Sequence, residues 1–258
     1  MLISVCSSKG APGVTSTALV VAAVWPRPVV MVEADPTGGD LAFRCRSANG
    51  GPLSTSPSLL SLAAAVRDDK PGTLVDFAQD LACGVPVVQG VPSSAQGRAL
   101  KDLWPSIAQA CRTAGVDVIA DLGRLDRTSP TLPLAAASDR VLVVGIASLE
   151  SVIHMRETLL DLGGEVGPDV SGVRLVPTLV GLARHANGDR DDVDRVLVAA
   201  GALATPCIHL PLDRPALMRL EGGDSASGRL GRATLIREAR LVAADLAEPR
   251  TARAAVPS

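Results

Sequence analysis

Three stretches of the chain place polar groups where phosphate chemistry would need them. The first is Ser7-Ser8-Lys9-Gly10-Ala11-Pro12-Gly13-Val14-Thr15-Ser16, which follows a short apolar run and leads into a longer one. A strand, a small-residue loop and a helix N-terminus in that order form an anion site. Loop amides and the helix dipole point at bound phosphate, and a hydroxyl at the helix start can ligate Mg²⁺. The phosphate-loop pattern G-x-x-x-x-G-K-[ST] is missed at one place, because Val14 stands where lysine would, and Pro12 removes one amide donor. The second stretch is Glu33-Ala34-Asp35-Pro36-Thr37-Gly38-Gly39-Asp40. At strand spacing Glu33 and Asp35 project from one face, where they can meet a metal or a phosphate-activated water. In the third, Asp121 ends an apolar run and Gly123 follows; an acid so placed can hold Mg²⁺ through water. Taken singly, each has a plain reading: a Gly-rich turn, a helix N-cap, a loop acid. Together, in this order and each at the end of an apolar run, they match the way open α/β sheets bind ligands beyond their strands' carboxyl ends.

The elements that must position them are legible as alternating runs. Leu2–Cys6, Val29–Val32, Val85–Val88, Val116–Ala120, Arg140–Gly145, Val173–Thr178 and Pro206–Leu210 are mostly apolar throughout, as strands covered on both faces are. Between them, Thr15–Val24, Leu59–Val66, Ala95–Ala114, Leu149–Leu162, Asp191–Ala200 and Arg229–Leu246 read as helices, and Ser47–Pro57 and Ala183–Asp192 as loops. The expected architecture is α/β and doubly wound, a mostly parallel sheet of about seven strands with helices on both faces. A single domain is expected over 1–247, with a flexible tail at 248–258.

Composition removes other classes. Four aromatics (Trp25, Trp104, Phe43, Phe77) and no tyrosine leave almost no stacking platform for single-stranded nucleic acid. A net charge of −2 argues against a nucleic-acid coat protein. Five scattered cysteines without a CxxC, and three isolated histidines, argue against a disulfide framework or a zinc site. The N-terminal MLISVCSSKG reaches polar residues too soon for a secretory signal, and no apolar run approaches the ~20 residues of a membrane helix. The expectation is a cytoplasmic protein with reduced thiols. Lysine occurs only at 9, 70 and 101, against 22 arginines, so Lys9 stands out. His154 and Arg156 read as rim residues and His209 as a core histidine. Arg214, Arg219, Arg229, Arg232, Arg237 and Arg240 read as a solvated helix face in preference to a nonspecific DNA contact.

The same segments resemble the ParA/MinD family of deviant Walker A ATPases over nearly the full length. That family's loop, K-G-G-x-G-K-[ST]-[ST], is met by K-G-A-P-G-V-T-S from Lys9 to Ser16, and its D-x-D-P-x-G segment by Glu33-Ala34-Asp35-Pro36-Thr37-Gly38. The resemblance implies a P-loop fold of ParA/MinD type. It implies ATP on Gly10, Ala11, Pro12, Gly13, Val14, Thr15 and Ser16, and Mg²⁺ on Thr15 and Asp121. It also gives Asp35 the water-orienting role, and Lys9 the role of reaching a partner's nucleotide across a homodimer. Thr178 stands in the adenine-framing strand, where relatives carry an Asn-Arg or Asn-Lys pair; Pro211 and Asp213 resemble an "iP.D" segment near the base. Atypical relatives that localise pilus or secretion machinery also carry eroded loops. The tail lacks the basic amphipathic helix with which MinD-like proteins grip membranes, so no direct membrane anchor is implied.

Losing the loop lysine removes a charge-assisted contact of roughly 1.5–3 kcal/mol, about one to two decades of affinity. Loop amides and the dipole remain, so nucleotide binding survives this loss better than hydrolysis does. Three readings stand: a nucleotide-binding switch that recruits or positions protein partners with slow or absent turnover, a pseudo-ATPase scaffold that only dimerises, and, more weakly, a small-molecule kinase or synthetase.

Overall fold

The apolar run that opens the chain forms β1 (Leu2–Ser7), all six of its residues buried. The computed structural model describes residues 1–9, 13–69, 72–166, 174–202 and 204–248. After β1 the chain enters α1 (Val14–Ala23) and β2 (Val29–Glu33), then the short α2 (Leu41–Arg44) and α3 (Leu59–Arg67). An edge pair follows, β3 (Gln79–Asp80) and β4 (Pro86–Val88). Next come α4 (Ser94–Ala99), α5 (Trp104–Arg112), β5 (Asp117–Arg124), α6 (Leu132–Ala137), β6 (Arg140–Ile146) and α7 (Leu149–Leu162). The last part holds β7 (Leu175–Gly181), α8 (Ala186–Ala199), β8 (Ile208–Pro211), α9 (Arg214–Glu221) and α10 (Thr234–Ala247).

Among the described residues these strands make one eight-stranded sheet in the order β3-β4-β2-β5-β1-β6-β7-β8, parallel except for β3 against β4. Seven strands fall where expected to within a few residues. The eighth, β3, has two residues and lies beyond the reach of any periodicity. Side chains alternate between two cores. Val30 and Val32, Val118 and Ala120, and Val141 and Val143 face a layer with α3, α5, α6, α7 and α8. Met31, Ile119 and Leu142 face α1, α9 and α10. Burial on both faces is why these strands are apolar throughout.

Three helix readings need correction. Ala95–Ala114 is two helices separated by a 3₁₀ turn at Lys101–Leu103, since Pro105 tolerates only the first turn of a helix. α8 starts at Ala186, inside the expected polar loop; it buries only Val193 and Leu197, so its apolar signal is slight. A 3₁₀ turn at Leu230–Arg232 precedes α10. The short α2, α6 and α9 were not foreseen. The start of the expected strand at Val173 and all but Glu248 of the expected tail lie outside the described residues. All five cysteines are free and buried. No helix among the described residues is long and apolar enough to cross a membrane.

Candidate functional site

β2 and β5 run side by side with Glu33 opposite Asp121 in register. The alternation that sends Ile119 and Met31 toward α1 sends these two carboxylates the same way. Asp121 is fully buried: Oδ1 accepts the Gly123 amide at 3.0 Å, and among the described residues Oδ2 has no partner at ordinary hydrogen-bond geometry, although the Thr15 hydroxyl stands close enough to stabilise the carboxylate. Burial pushes its pKa up to about 7, helped by the charges of Glu33 and Asp35 and opposed by the Thr15 hydroxyl and the Gly123 amide. An ionised carboxylate left short of a donor in a dry place is costly. A cation bound beside it would relieve that cost.

Glu33 has a different fate from the one its spacing suggested. Beyond Pro36 the chain doubles back, and Glu33 Oε1 accepts the Leu41 amide at 2.9 Å while Oε2 accepts the Gly90 amide at 2.9 Å. Gly39 and Gly90 press on it so closely that an added Cβ would lie 2.1 Å from its Oε2 and 2.8 Å from its backbone oxygen. Burial raises its pKa, and the amides of Leu41, Gly90 and Asp40 oppose the rise. Both oxygens are thus engaged by backbone, and Glu33 fixes α2 to the sheet. Asp35, past the strand end, accepts the Thr37 amide at 2.8 Å and the Thr37 hydroxyl at 2.7 Å through Oδ1. Its Oδ2 lies against Gly123, where φ is +61° and a Cβ would stand 1.9 Å away.

At the start of α1, Gly13 is the N-cap at φ 119°, no side chain among the described residues caps the helix, and its first turn holds no acid. Its first-turn amides are therefore free of side-chain caps. Gly10, Ala11 and Pro12 lie outside the described residues. Val14 is 5% exposed and packs in the α1-side core, so an apolar side chain fills the place of the loop lysine. Thr15 faces Asp121, and Ser16 faces a cavity of ≈ 590 Å³.

That cavity is bounded by Gly13, Ser16, Thr17 and Val20 on one side and by Val180, the segment 210–214 and α9 on the other. Pro211 and Asp213 line it, Asp213 also capping α9 through the Ala216 amide at 3.1 Å. Thr178 does not reach it; it is fully buried and its hydroxyl donates to Val176 O at 3.2 Å. Val180, two residues further along β7, is the wall instead. Lys9 is exposed and lines a separate cavity of ≈ 150 Å³ with Arg124, Asp126, His154 and Glu157. Sequence reasoning missed Arg44, whose guanidinium bonds Ser16 and Glu221 at the cavity edge. Nothing local marks that arginine, because its partners come from elsewhere in the chain.

No three His, Cys, Asp or Glu residues among those described gather to hold a metal by themselves. Of the C-terminal arginines, Arg219 pairs with Asp224 at 2.7 Å, Arg237 with Glu238 at 3.6 Å, and Arg240 donates to Ala226 O at 3.0 Å. His209 is a buried residue with Asp189 at 3.6 Å, and His154 a half-buried one near Glu157, as read.

No protein-family model matches the sequence, and no curated protein sequence is significantly similar to it. Solved structures do share its architecture. A ParA family ATPase from Chlorobium tepidum TLS superposes with a TM-score of 0.70 at 20% identity, over 94% of this chain and 98% of the other. The septum site-determining protein MinD of Pyrococcus horikoshii OT3, complexed with Mg-ADP, gives 0.67 at 14% identity over 96% of each chain. A Cyanothece McdA variant in complex with ATP gives 0.62 at 17% identity over 95% of each chain. With the mostly parallel sheet, the glycine-capped α1, Glu33 at the end of β2 and Asp121 opposite it within β5 all in place, the chain has the fold of the ParA and MinD ATPases.

Proposed function

We propose that this protein binds ATP with Mg²⁺ at the start of α1 and acts as a ParA/MinD-like switch that positions or recruits partners, with slow or absent hydrolysis. The observation that carries this is the fully buried Asp121 carboxylate, whose Oδ2 has no partner at ordinary hydrogen-bond geometry among the described residues and which has the Thr15 hydroxyl beside it at the start of α1. An orphaned acid beside a hydroxyl fits a hard divalent cation that takes its remaining ligands from water and phosphate. Thr15 and Asp121 would hold Mg²⁺, which when bound supplies charge neutralisation on the phosphate oxygens.

In this reading the amides of residues 13–16 at the start of α1 face the phosphates, and the largely apolar cavity between Val180, Pro211 and α9 receives the nucleoside. Asp35, locked by Thr37 and Gly123, orients water, and the exposed Lys9 joins two copies in a homodimer. Slow turnover follows from Val14: the start of α1 carries no lysine of its own to stabilise charge developing in phosphoryl transfer, and Lys9 lies at a separate cavity. The local pairing of Arg219 and Arg237 supports a solvated face over a DNA-binding one. The packing of Val14 in the core favours one second reading, a dimerising scaffold that binds no nucleotide.

Calorimetry with ATP in Mg²⁺ and in EDTA separates the two. Binding below millimolar concentration that weakens in EDTA supports the switch. No binding, with a melting temperature unmoved by nucleotide, leaves the scaffold.

A further inference from the structure

We propose that Arg44, reaching in from α2, is the phosphate-binding cation of this site in place of the loop lysine, and that Glu221 is its counter-ion when no phosphate is bound. The inference rests on the reading of the α1 start as an anion site and adds to it a residue that no spacing predicts. Arg44 Nη2 donates to Ser16 Oγ at 2.6 Å, in the first turn of α1. Its Nε donates to Glu221 Oε1 at 2.9 Å, and Nη2 reaches the same carboxylate. Arg44, Ser16 and Glu221 all line the ≈ 590 Å³ cavity, and among the described residues Nη1 makes no hydrogen bond.

The placement is built in. Glu33 holds the first amide of α2, so the helix cannot drift from the sheet, and Arg44 lies one turn further on. Val14 is packed in the core, and it is the Arg44 guanidinium that bonds Ser16 in the first turn. A planar guanidinium matches phosphate oxygens in the same two-pronged way that it matches a carboxylate. Phosphate can therefore replace Glu221 on Arg44 with the ion pairing conserved. Glu221 acts as a built-in competitor, holding the cation ready and lowering the affinity for the ligand.

The test measures binding of ATP, ADP, adenosine and inorganic triphosphate to the full chain by calorimetry. Arg44→Gln should weaken ATP and ADP by about 10- to 100-fold and leave adenosine unchanged. Glu221→Gln should tighten ATP and triphosphate several-fold. The double variant, which leaves neither half-buried charge unpaired, should bind ATP as weakly as Arg44→Gln and guards against misfolding of the single one. ATP binding unchanged by Arg44→Gln overturns the inference and leaves the nucleotide site standing. Equal losses for ATP and adenosine overturn it too, reducing Arg44 to a structural role. Wild-type binding of triphosphate but not of ATP, lost in Arg44→Gln, upholds Arg44 and ends the nucleotide reading; binding of neither ligand ends both.

Discussion

Asp121 pairs a stability cost with a binding role, and asparagine in its place separates the two. In the folded protein its pKa rises from the ordinary 3.8 to about 7, with burial the largest cause. At about 1.4 kcal/mol per pKa unit this corresponds to about 4 kcal/mol between protonation states. Between about pH 4 and 7 the folded chain holds a proton that the unfolded chain has lost. Stability from this group therefore falls as pH rises through that window, and the full deficit is present above it. Asparagine cannot ionise and keeps an acceptor for the Gly123 amide, but its NH₂ replaces an oxygen that already lacked a partner. An unmatched buried donor costs about 1–3 kcal/mol. The net expectation for Asp121→Asn, ligand-free at pH 8, is a gain of about 1–3 kcal/mol, roughly 2–10 °C in Tm for a chain this long. At pH 4.5 the gain should vanish or reverse. Circular-dichroism melts of both proteins in EDTA at the two pH values measure this, because shared titrations cancel in the difference. In Mg²⁺ and ATP the order should invert, the wild type alone being stabilised. A variant no more stable than wild type at pH 8, or more stable by the same amount at both pH values, would refute the reasoning.

Three further outcomes are expected. Glu33→Ala strips two buried amides of their acceptor and should cost several kcal/mol in urea denaturation, at about 1–3 kcal/mol per amide; a loss under about 1 kcal/mol would deny its anchoring role. Gly123→Ala drives a Cβ into Asp35 Oδ2 at a positive φ, so it should cost about 1–3 kcal/mol and abolish any ATP turnover while binding persists; unchanged turnover would remove Asp35 from water positioning. Lys9→Ala should lose ATP-dependent dimerisation in light scattering with monomer affinity kept, since Lys9 is exposed away from the main cavity; a persisting dimer would count against a bridging lysine.

By itself the sequence determined the mostly parallel sheet, Thr15 at the start of the first helix and Asp35 just past β2, whereas β5 runs three residues beyond Asp121, which in the sequence ends the apolar run. Burial on both faces writes itself into short apolar runs, and the groups ending those runs must sit toward the sheet's carboxyl edge. It could not decide where side chains go once the chain leaves a strand. Glu33 and Asp35 share a spacing, yet one is enclosed by amides of Leu41 and Gly90 and the other turns back on Thr37, because only the returning loops bring those donors. Thr178 and Val180 differ in the same way, the first spent within its own strand and the second walling the cavity. The bond from Arg44 to Ser16 spans 28 positions and that to Glu221 spans 177. No local pattern encodes such meetings. They exist because α2 is tied to the sheet by Glu33 and α9 packs on the α1 side, so that tertiary packing alone decides which cation stands at the helix start.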